Sequence, residues 1–183
     1  MNGAVVTVRA MRPEDAPRWD AFVFACPEAT FFHRAGWREV LQRAFGHRTH
    51  YLLAERDSRI VGVLPLTEVK SRLFGHSLVS NPFCVYGGIA AADDGARDAL
   101  DQRARALARE LGVGHLEYRN LQPFHTDWPT QDLYFTFRKA IDPDVEVNMN
   151  NIPRKQRAMV RKGIKHGLSG EFDASIDRFF AVF

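Results

Sequence analysis

Hydrophobic and polar residues recur along the chain with two periods, which divide it into short strands and helices. Val5 to Arg9 alternates with the two-residue period of a strand. Pro13-Glu14-Asp15 then opens a helix, because acids near the first turn suit the positive end of the helix dipole. Pro17 requires that this helix starts late or bends. Four residues form its apolar face: Ala16, Trp19, Val23 and Cys26.

A second helix is predicted from Arg34 to Phe45. Its apolar residues have the spacing of a stripe that faces a core. The members of this stripe are Trp37, Val40, Leu41, Ala44 and Phe45. Gly46 is the predicted C-cap, since glycine readily takes up the left-handed conformation that ends many helices.

A hairpin follows the second helix. Tyr51 to Glu55 and Ile60 to Val69 are apolar, β-rich runs separated by four polar residues, 56–59. Pro65 cannot donate a hydrogen bond to a ladder, so we expect it at a sheet edge or a bulge. Leu78 and Val79 indicate a further short strand.

The order of the remaining elements completes the fold prediction. A long helix is predicted from Gly95 to Leu111, ending at Gly112, and strands are predicted from Gly114 to Arg119 and from Leu133 to Lys139. Strands that alternate with helices and hairpins in this way indicate an α+β (mixed α/β) sandwich, with a central, mostly antiparallel sheet flanked by helices.

The segment from Ile152 to His166 predicts an amphipathic helix with Pro153 in its first turn. Six basic residues, which fall on one face, lie between Asn148 and Gly170 without any Asp or Glu: Arg154, Lys155, Arg157, Arg161, Lys162 and Lys165. The opposite face carries Ile152, Met159, Val160 and Ile164. Such a one-sided cationic face indicates a site for a polyanion or, alternatively, a solvated surface. The helix lacks interleaved aromatic residues, which disfavours direct binding of single-stranded nucleic acid.

Composition limits the function classes. The 183 residues are 45% hydrophobic and 26% charged with a net charge of +3, as in ordinary globular proteins. No apolar run approaches the roughly 20 residues needed to span a bilayer, and the N-terminus does not resemble a signal peptide. We therefore expect a cytoplasmic protein. Cys26 and Cys84 form neither a disulfide framework nor a zinc spacing.

The last residues predict one further helix. Ser175 to Phe183 has an amphipathic pattern whose apolar residues need a partner. We therefore expect the natural protein to continue beyond Phe183. The corresponding domain prediction is one lobe over residues 1–147, followed by the basic helix and the start of a second lobe over residues 148–183.

Several short strings, taken in order, resemble the FemAB-related acyl- and aminoacyltransferases, in particular the subgroup associated with exosortase and exopolysaccharide gene clusters. The resemblance covers nearly the whole chain from Met11 onward. It rests on Ala29-Thr30-Phe31-Phe32-His33-Arg34-Ala35-Gly36-Trp37, Phe45-Gly46-His47, Gly62-Val63-Leu64-Pro65-Leu66, Phe74-Gly75, Ser80-Asn81-Pro82-Phe83, Tyr86-Gly87-Gly88, His115-Leu116-Glu117-Tyr118-Arg119 and the stretch from Arg157 to Gly167.

The resemblance implies two acetyltransferase-like (GNAT) lobes in one chain, the second mostly beyond Phe183. It implies transfer of an acyl or aminoacyl group onto an amine of a cell-envelope precursor, either peptidoglycan or exopolysaccharide. The implied acyl donor is aminoacyl-tRNA or an acyl-CoA, with no tightly bound cofactor. The implied partners are an anionic small-molecule or lipid-linked precursor and tRNA.

Candidate catalytic residues are Glu117 and Arg119, which lie two apart on a predicted strand and therefore share a face. A carboxylate and a guanidinium on one face can orient an acceptor amine or carboxylate, or they can form a structural ion pair.

Candidate substrate-binding residues lie on both sides of the hairpin and in the basic helix. His33 precedes the second helix and either satisfies backbone donors near the helix start or contacts substrate. The other candidates are Trp37, Phe83, Tyr86, Gly87, Gly88, Arg154, Arg157, Arg161, Lys162 and Lys165. His47 and His50 lack further ligands at metal spacing, so no metal site is predicted.

The glycine pair in Tyr86-Gly87-Gly88 either turns its N–H groups toward a phosphate or carbonyl or forms a tight turn. Acetyltransferases that use acetyl-CoA carry a Gln/Arg-x-x-Gly-x-Gly/Ala loop before a helix. The nearest string, Arg59 to Leu64, ends in Leu within a predicted strand. The sequence therefore does not support acetyl-CoA binding at that string.

Three functions remain in competition. The first is the FemAB-like transferase, in which the basic helix holds an anionic donor or acceptor. The second is a GNAT N-acetyltransferase with an atypical loop, which predicts acetyl-CoA binding by these 183 residues. The third is a non-enzymatic polyanion-binding module, which predicts salt-sensitive binding without turnover.

Overall fold

The computed structural model describes residues 5–73, 75–131 and 133–183, so Phe74 of the family-like strings lies outside the described residues. It divides into two compact units, one ending at Trp128 and one running from Pro129 to Phe183. The predicted boundary between residues 147 and 148 falls within a helix of the second unit. That domain assignment stays a prediction.

The first unit contains nine helices and strands in the described part of the chain. They are β1 (Thr7–Ala10), α1 (Ala16–Ala25), α2 (Trp37–Phe45), β2 (Arg48–Arg56), β3 (Arg59–Ser71), β4 (Gly75–Ser80), β5 (Ala90–Ala91), α3 (Asp94–Leu111) and β6 (His115–Glu117). Single turns of 3-10 helix precede α1 and α2, at Pro13–Asp15 and Phe31–His33.

The sheet order is β1-β2-β3-β4-β6, with β5 paired to β3. All neighbouring strands are antiparallel except β4 and β6, which run parallel because α3 connects them as a crossover. The predicted class, a mixed α/β fold with a mostly antiparallel sheet flanked by helices, is confirmed.

Each face of the sheet carries a hydrophobic core. On one face, Leu64, Leu66 and Leu78 pack with Leu100 of α3. On the other face, Leu53 and Val63 pack with Trp19 of α1. Alternate side chains of a strand point to opposite faces, so the continuous apolar run in β3 serves both cores.

Glycines end the helices as expected. Gly46 follows α2 with φ 68° and Gly112 follows α3 with φ 62°, both in the left-handed region. The hairpin turns over Asp57 and Ser58, which have φ 49° and 62°. These angles match the two-residue turns whose twist suits a hairpin.

Pro65 lies inside the sheet and not at its edge. β4 and β5 both pair with the same side of β3. Residues 81–89, which connect these two strands, form a loop that is not part of the sheet. The Pro65 carbonyl accepts a hydrogen bond from Asn81 N (3.0 Å) where this loop begins. The missing N–H of Pro65 therefore faces an interruption of the ladder.

Two sequence predictions are wrong. Of the stripe predicted to face the core from α2, only Leu41 is fully buried, whereas Val40 and Phe45 are exposed. Residues 133–139 form no strand, and Leu133, Tyr134, Phe135 and Phe137 are exposed. Alternating apolar residues favour a strand, but a strand forms only where another strand pairs with it.

The second unit consists of extended chain and three helices among its described residues: α4 (Val145–Asn150), α5 (Arg154–Lys165) and α6 (Asp177–Val182). α5 confirms the predicted basic helix with slightly narrower bounds. No helix in the described part of the chain is long and apolar enough to cross a membrane.

Candidate functional site

The loop formed by residues 81–89 connects β4 to β5 and is fastened at its start. Asn81 is fully buried, and its Oδ1 accepts a hydrogen bond from the Tyr51 hydroxyl (2.9 Å). Asn81 Nδ2 donates to the carbonyl of Phe32. The loop is therefore anchored to both β2 and the turn that precedes α2.

Gly87 and Gly88 close the other end of the loop against the segment that follows β6. Both backbone N–H groups donate to the Arg119 carbonyl, at 3.1 and 3.2 Å. A Cβ at Gly87 would lie 2.6 Å from Asn81 Cβ, and one at Gly88 would overlap the Asn120 side chain. Only glycine permits this approach. These contacts join two distant segments and are not those of a tight turn, and ligand binding by these N–H groups stays a prediction.

Glu117 and Arg119 form the ion pair that the sequence left as one alternative, with Arg119 Nε donating to Glu117 Oε1 at 2.9 Å. The same guanidinium donates to the Cys84 carbonyl (2.7 Å), and Arg119 N donates to Ser80 Oγ (2.8 Å). Arg119 thus holds the loop 81–89 against β6. A catalytic role for the pair stays a prediction.

His33 is buried, and both of its ring nitrogens have backbone partners. Nδ1 accepts from Thr30 N (3.0 Å), so Nε2 carries the proton and donates to the Gly88 carbonyl (2.9 Å). Burial lowers the pKa of His33 and keeps the ring neutral. The contact with Thr30 is of the capping type, on the 3-10 turn rather than on α2 itself.

The aromatic candidates do not meet at one point. Trp37 packs on Phe31 and Phe32, with ring centroids 5.8 and 5.7 Å apart. Phe83 stacks on Phe45 at 4.4 Å. Tyr86 is half-buried in the loop 81–89.

A pocket of about 270 Å³ lies beyond the carboxyl ends of β4 and β6. Its walls come from the loop after β4, from the segment after β6, from α3 and from the chain after α1. The lining residues are Glu28, His33, Gly88, Ile89, Arg97, Asn120, Leu121, Gln122, Pro123 and Phe124. In open α/β sheets, ligands bind outside the carboxyl ends of parallel strands, where neighbouring loops separate.

Glu28 and Arg97 supply the charged groups of the pocket. Arg97 Nη2 donates to Glu28 Oε1 (2.6 Å), and Arg97 Nη1 pairs with Asp94. Glu28 Oε2 accepts from Ala91 N (3.2 Å). The Arg97 guanidinium also lies 5.6 Å from the Phe124 ring centroid. A carboxylate has about four acceptor positions and a guanidinium five donors, so both groups retain capacity for a ligand.

Only His33 and Gly88 among the predicted site residues border the pocket. Sequence reasoning missed Glu28, Arg97, Asn120 and Phe124, because they lie on three segments far apart in the chain. The acids at helical spacing from Arg97, namely Asp93, Asp94 and Asp101, are local signals of a paired guanidinium.

The basic face of α5 is exposed to solvent. Arg157 folds back on the carbonyls of Asn150 (2.8 Å) and Ile152 (3.0 Å), where α4 ends. Within the described ranges, the other five cations have no carboxylate within ion-pair distance: Arg154, Lys155, Arg161, Lys162 and Lys165. The surface formed by these five side chains can accept an anionic ligand.

Metal binding is not indicated by the described residues. No group of three His, Cys, Asp or Glu side chains among them could hold an ion. His47 stacks on Phe83 (5.7 Å), whereas His50 and His76 share the Glu68 carboxylate at 3.3 and 2.7 Å. The two histidines considered for a metal thus belong to different clusters.

Comparison with known proteins identifies the fold. The aminoglycoside N-acetyltransferase AAC(6')-Iy, solved with CoA, is similar over 76% of this chain and 98% of its own, with TM-score 0.50 and 14% identity. A GNAT family acetyltransferase from Staphylococcus aureus is similar over 73% and 98%, with TM-score 0.49 and 10% identity. A GNAT family acetyltransferase from Brucella melitensis, solved with acetyl-CoA, is similar over 62% and 75%, with TM-score 0.44 and 22% identity.

The chain therefore has the GNAT fold. No family model matches the sequence. No curated protein matches it either. The finer likeness to FemAB transferases accordingly rests on the sequence strings alone.

The N-terminus of α3 does not fit the pyrophosphate of coenzyme A. Asp93 caps this helix, and its Oδ1 accepts from Ala96 N (3.0 Å). Arg56 donates to both Asp93 oxygens, at 2.8 and 3.1 Å, and this pairing lowers the pKa of Asp93 to about 2. A second acid, Asp94, follows. Two carboxylates occupy the helix end at which a free dipole would attract an anion.

Proposed function

We propose that the chain is an acyltransferase that moves an acyl group from an activated donor onto an amine, which binds in the pocket beyond β4 and β6. The observation that carries this proposal is the pocket itself. It lies at the carboxyl ends of the two parallel strands of a GNAT fold and contains a carboxylate beside a guanidinium.

Acyl transfer makes simple demands on such a pocket. The amine nitrogen attacks the acyl carbon, a C–N bond forms, and the bond from that carbon to the leaving sulfur or oxygen breaks. The amine must lose a proton, and negative charge develops on the carbonyl oxygen.

Glu28 provides for the loss of the amine proton. Its carboxylate is 45% exposed at the side chain, so an incoming ammonium group can reach it. The carboxylate binds this cation and accepts its proton. Arg97 and Asn120 stabilise the negative charge on the carbonyl oxygen, because a guanidinium and an amide N–H₂ donate to a developing oxyanion.

The walls of the pocket are held in place by three residues that sequence reasoning had selected: Glu117, Arg119 and His33. Arg119 fixes the loop 81–89, and neutral His33 holds the Gly88 carbonyl at the pocket rim. A 1 Å shift of these walls would misplace the acceptor, so Arg119 and His33 act as positioning residues.

Two donors remain candidates. The structural neighbours favour a CoA thioester, since two of them were solved with CoA or acetyl-CoA. The self-capped N-terminus of α3 favours a donor that does not place a pyrophosphate there, such as an aminoacyl ester. We propose that the unpaired cations of α5 contact the anionic part of the donor or of a cell-envelope acceptor. The second lobe beyond Phe183 stays a prediction.

The test compares donors directly. The protein is incubated with a panel of amines and with acetyl-CoA or aminoacyl-tRNA, and acylated amine is quantified by mass spectrometry. We expect product with one donor class. Glu28→Gln is expected to raise KM for the amine and also to lower kcat, because the amide accepts no proton. Arg97→Lys is expected to lower kcat by about 100-fold, as for the loss of one oxyanion donor.

Arg103→Lys is the matched control, because Arg103 pairs with Glu110 elsewhere on α3 and does not line the pocket. This variant should transfer at the parent rate. If neither donor class yields product, or if Arg97→Lys and Arg103→Lys behave alike, the proposal is wrong.

A further inference from the structure

Three rings form a stack at the carboxyl end of α2. Phe45 and Phe83 lie 4.4 Å apart with an interplanar angle of 17°, and His47 lies 5.7 Å from Phe83 at 13°. We call these three residues the aromatic stack. Phe83 is 60% exposed and Phe45 is 48% exposed, so the stack presents a flat aromatic face to solvent.

The backbone at Phe83 is held in an unfavourable conformation. Its φ is 67°, in the left-handed region that a bulky residue rarely occupies. Cys84 N donates to the Asn81 carbonyl (3.2 Å), and Arg119 Nη1 donates to the Cys84 carbonyl (2.7 Å). Hydrogen bonds on both sides of Phe83 therefore impose this conformation. Strain of this kind persists where the surrounding contacts enforce it, and it concentrates at ligand-binding sites.

Core packing does not account for the position of Phe83. A phenylalanine that served only to exclude water would be buried, whereas most of this side chain remains accessible. Phe45 belongs to the stripe that periodicity predicts to face the core, yet it also lies outside. The contacts between the rings are therefore made at the surface, where a ligand can add another layer.

A cation lies on the same side of α2. Arg38 and Phe45 are seven residues apart, which places them two turns, or about 10 Å, apart along one face. In the described residues the guanidinium makes one long hydrogen bond, from Nη1 to the Met11 carbonyl (3.5 Å), and interacts electrostatically with the Tyr51 hydroxyl. Arg38 is not paired with an acid there and can meet an anion.

We propose that the aromatic stack binds the base of a nucleotide, with Arg38 contacting the phosphate. A nucleobase is flat, and every type of base can stack on aromatic rings. A phosphate supplies the anionic partner that Arg38 lacks. A protein helix would require a groove, whereas near-parallel rings present a plane. This site would hold the nucleotide part of the acyl donor, and in that role it rests on the proposed function.

Binding is measured without turnover, so the two proposals can fail separately. Isothermal titration calorimetry with AMP should show saturable binding, and ribose 5-phosphate should bind at least tenfold more weakly because it lacks the base. Phe83→Ala and Phe45→Ala should each weaken AMP binding about tenfold. Arg38→Gln should weaken binding of AMP but not of adenosine.

Phe31→Ala is the matched control. Phe31 is an exposed phenylalanine near the other end of α2 and does not belong to the aromatic stack. AMP affinity should be unchanged in this variant. An equal loss in Phe31→Ala and Phe83→Ala would overturn the proposal.

Phe83→Gly separates binding from folding. Glycine adopts φ 67° without strain, so this variant should unfold cooperatively at a temperature no lower than that of Phe83→Ala, and yet should not bind AMP above the level of ribose 5-phosphate. Retained AMP binding in Phe83→Gly would contradict the proposal.

Two sources of the nucleotide can be distinguished by competition. Displacement of AMP by coenzyme A assigns the site to a thioester donor, whereas displacement by a short single-stranded RNA assigns it to a nucleic-acid donor. If neither AMP, coenzyme A nor RNA binds, and if sedimentation shows a dimer that Phe83→Ala dissociates, the stack is a self-association surface and the proposal is wrong.

Discussion

In the first unit, several cations beside the sheet are held by carboxylates, whereas helix α5 of the second unit presents most of its cations to solvent. Arg9 illustrates the first arrangement, with its guanidinium 2.6 Å from Asp15 and 2.8 Å from Glu55. Lys162 and Lys165 illustrate the second, since neither has a carboxylate within ion-pair distance among the described residues.

Apolar side chains differ between the units in the same way. Trp19 and Leu53 are fully buried in the first unit, whereas Met159 and Ile164 of α5 are 65% and 64% exposed. Paired charges and buried side chains stabilise a fold, while unpaired charges and exposed side chains are available to partners. The first unit should therefore tolerate substitution poorly and the second should tolerate it well.

The largest expected effect is the loss of a buried ring from the first unit. Trp19 stacks on Tyr51 with centroids 5.4 Å apart, and its Nε1 donates to the His33 carbonyl (2.6 Å). Trp19→Ala should lower the free energy of unfolding by about 3–5 kcal/mol, because it leaves a cavity and an unpaired carbonyl. Urea denaturation at 25 °C measures the difference.

Phe180→Ala in α6 is the counterpart in the second unit. Phe180 is 61% exposed, so the loss should not exceed about 0.5 kcal/mol. Equal losses for the two variants would contradict the difference between the units.

The next effect depends on pH and concerns Asp15. Its carboxylate accepts from Arg9 Nη1 (2.6 Å), Arg9 Nη2 (2.8 Å) and Arg12 N (2.8 Å). The Arg9 hydrogen bonds hold the pKa of Asp15 well below its usual value. Because the pKa is lower in the folded state, this stabilisation is complete above the unfolded pKa and is lost as the pH falls toward the folded pKa.

Asp15→Asn should therefore lower the free energy of unfolding by about 2–3 kcal/mol at pH 7. The difference between variant and parent should narrow as the pH is lowered below about 4, where the unfolded carboxylate takes up a proton. Denaturation at pH 7 and pH 3 measures both values. Asp173→Asn is the control, because the exposed Asp173 pairs with the exposed Arg178 and should contribute less than about 1 kcal/mol.

Sequence reasoning was accurate where local chemistry determines the element. The end of α3 at Gly112 follows from the conformational freedom of glycine, and the turn between β2 and β3 follows from a short polar run. These signals lie within a few residues of the elements that they specify.

Sequence reasoning failed where contacts between residues far apart in the chain decide the structure. Periodicity shows that α2 has an apolar face, but not that Phe45 would stack on Phe83 at the surface. The pattern of residues 133–139 suits a strand, but pairing requires a partner that periodicity does not reveal. Glu28 and Arg97, which form the charged part of the pocket, are 69 residues apart, so only the tertiary structure brings them together.

The smallest expected effect is that of removing one surface arginine, and the resulting change in the free energy of unfolding should have opposite signs in the two units. Arg161 of α5 lies four residues from both Arg157 and Lys165, so like charges repel along this face. Arg161→Gln should raise the free energy of unfolding by about 0.5 kcal/mol. Arg43 of α2 instead pairs with Glu39 at 2.8 Å, and Arg43→Gln should lower it by a similar amount.

Salt identifies the electrostatic origin of these opposite shifts. At 1 M salt the Debye length is about 3 Å, so both the repulsion around Arg161 and the attraction at Arg43 should nearly vanish. Thermal unfolding of both variants and the parent at low salt and at 1 M salt makes the comparison. Destabilisation by Arg161→Gln at low salt would mean that this guanidinium has an intramolecular partner. The cationic face of α5 would then stabilise the fold itself, instead of remaining free for an anionic ligand.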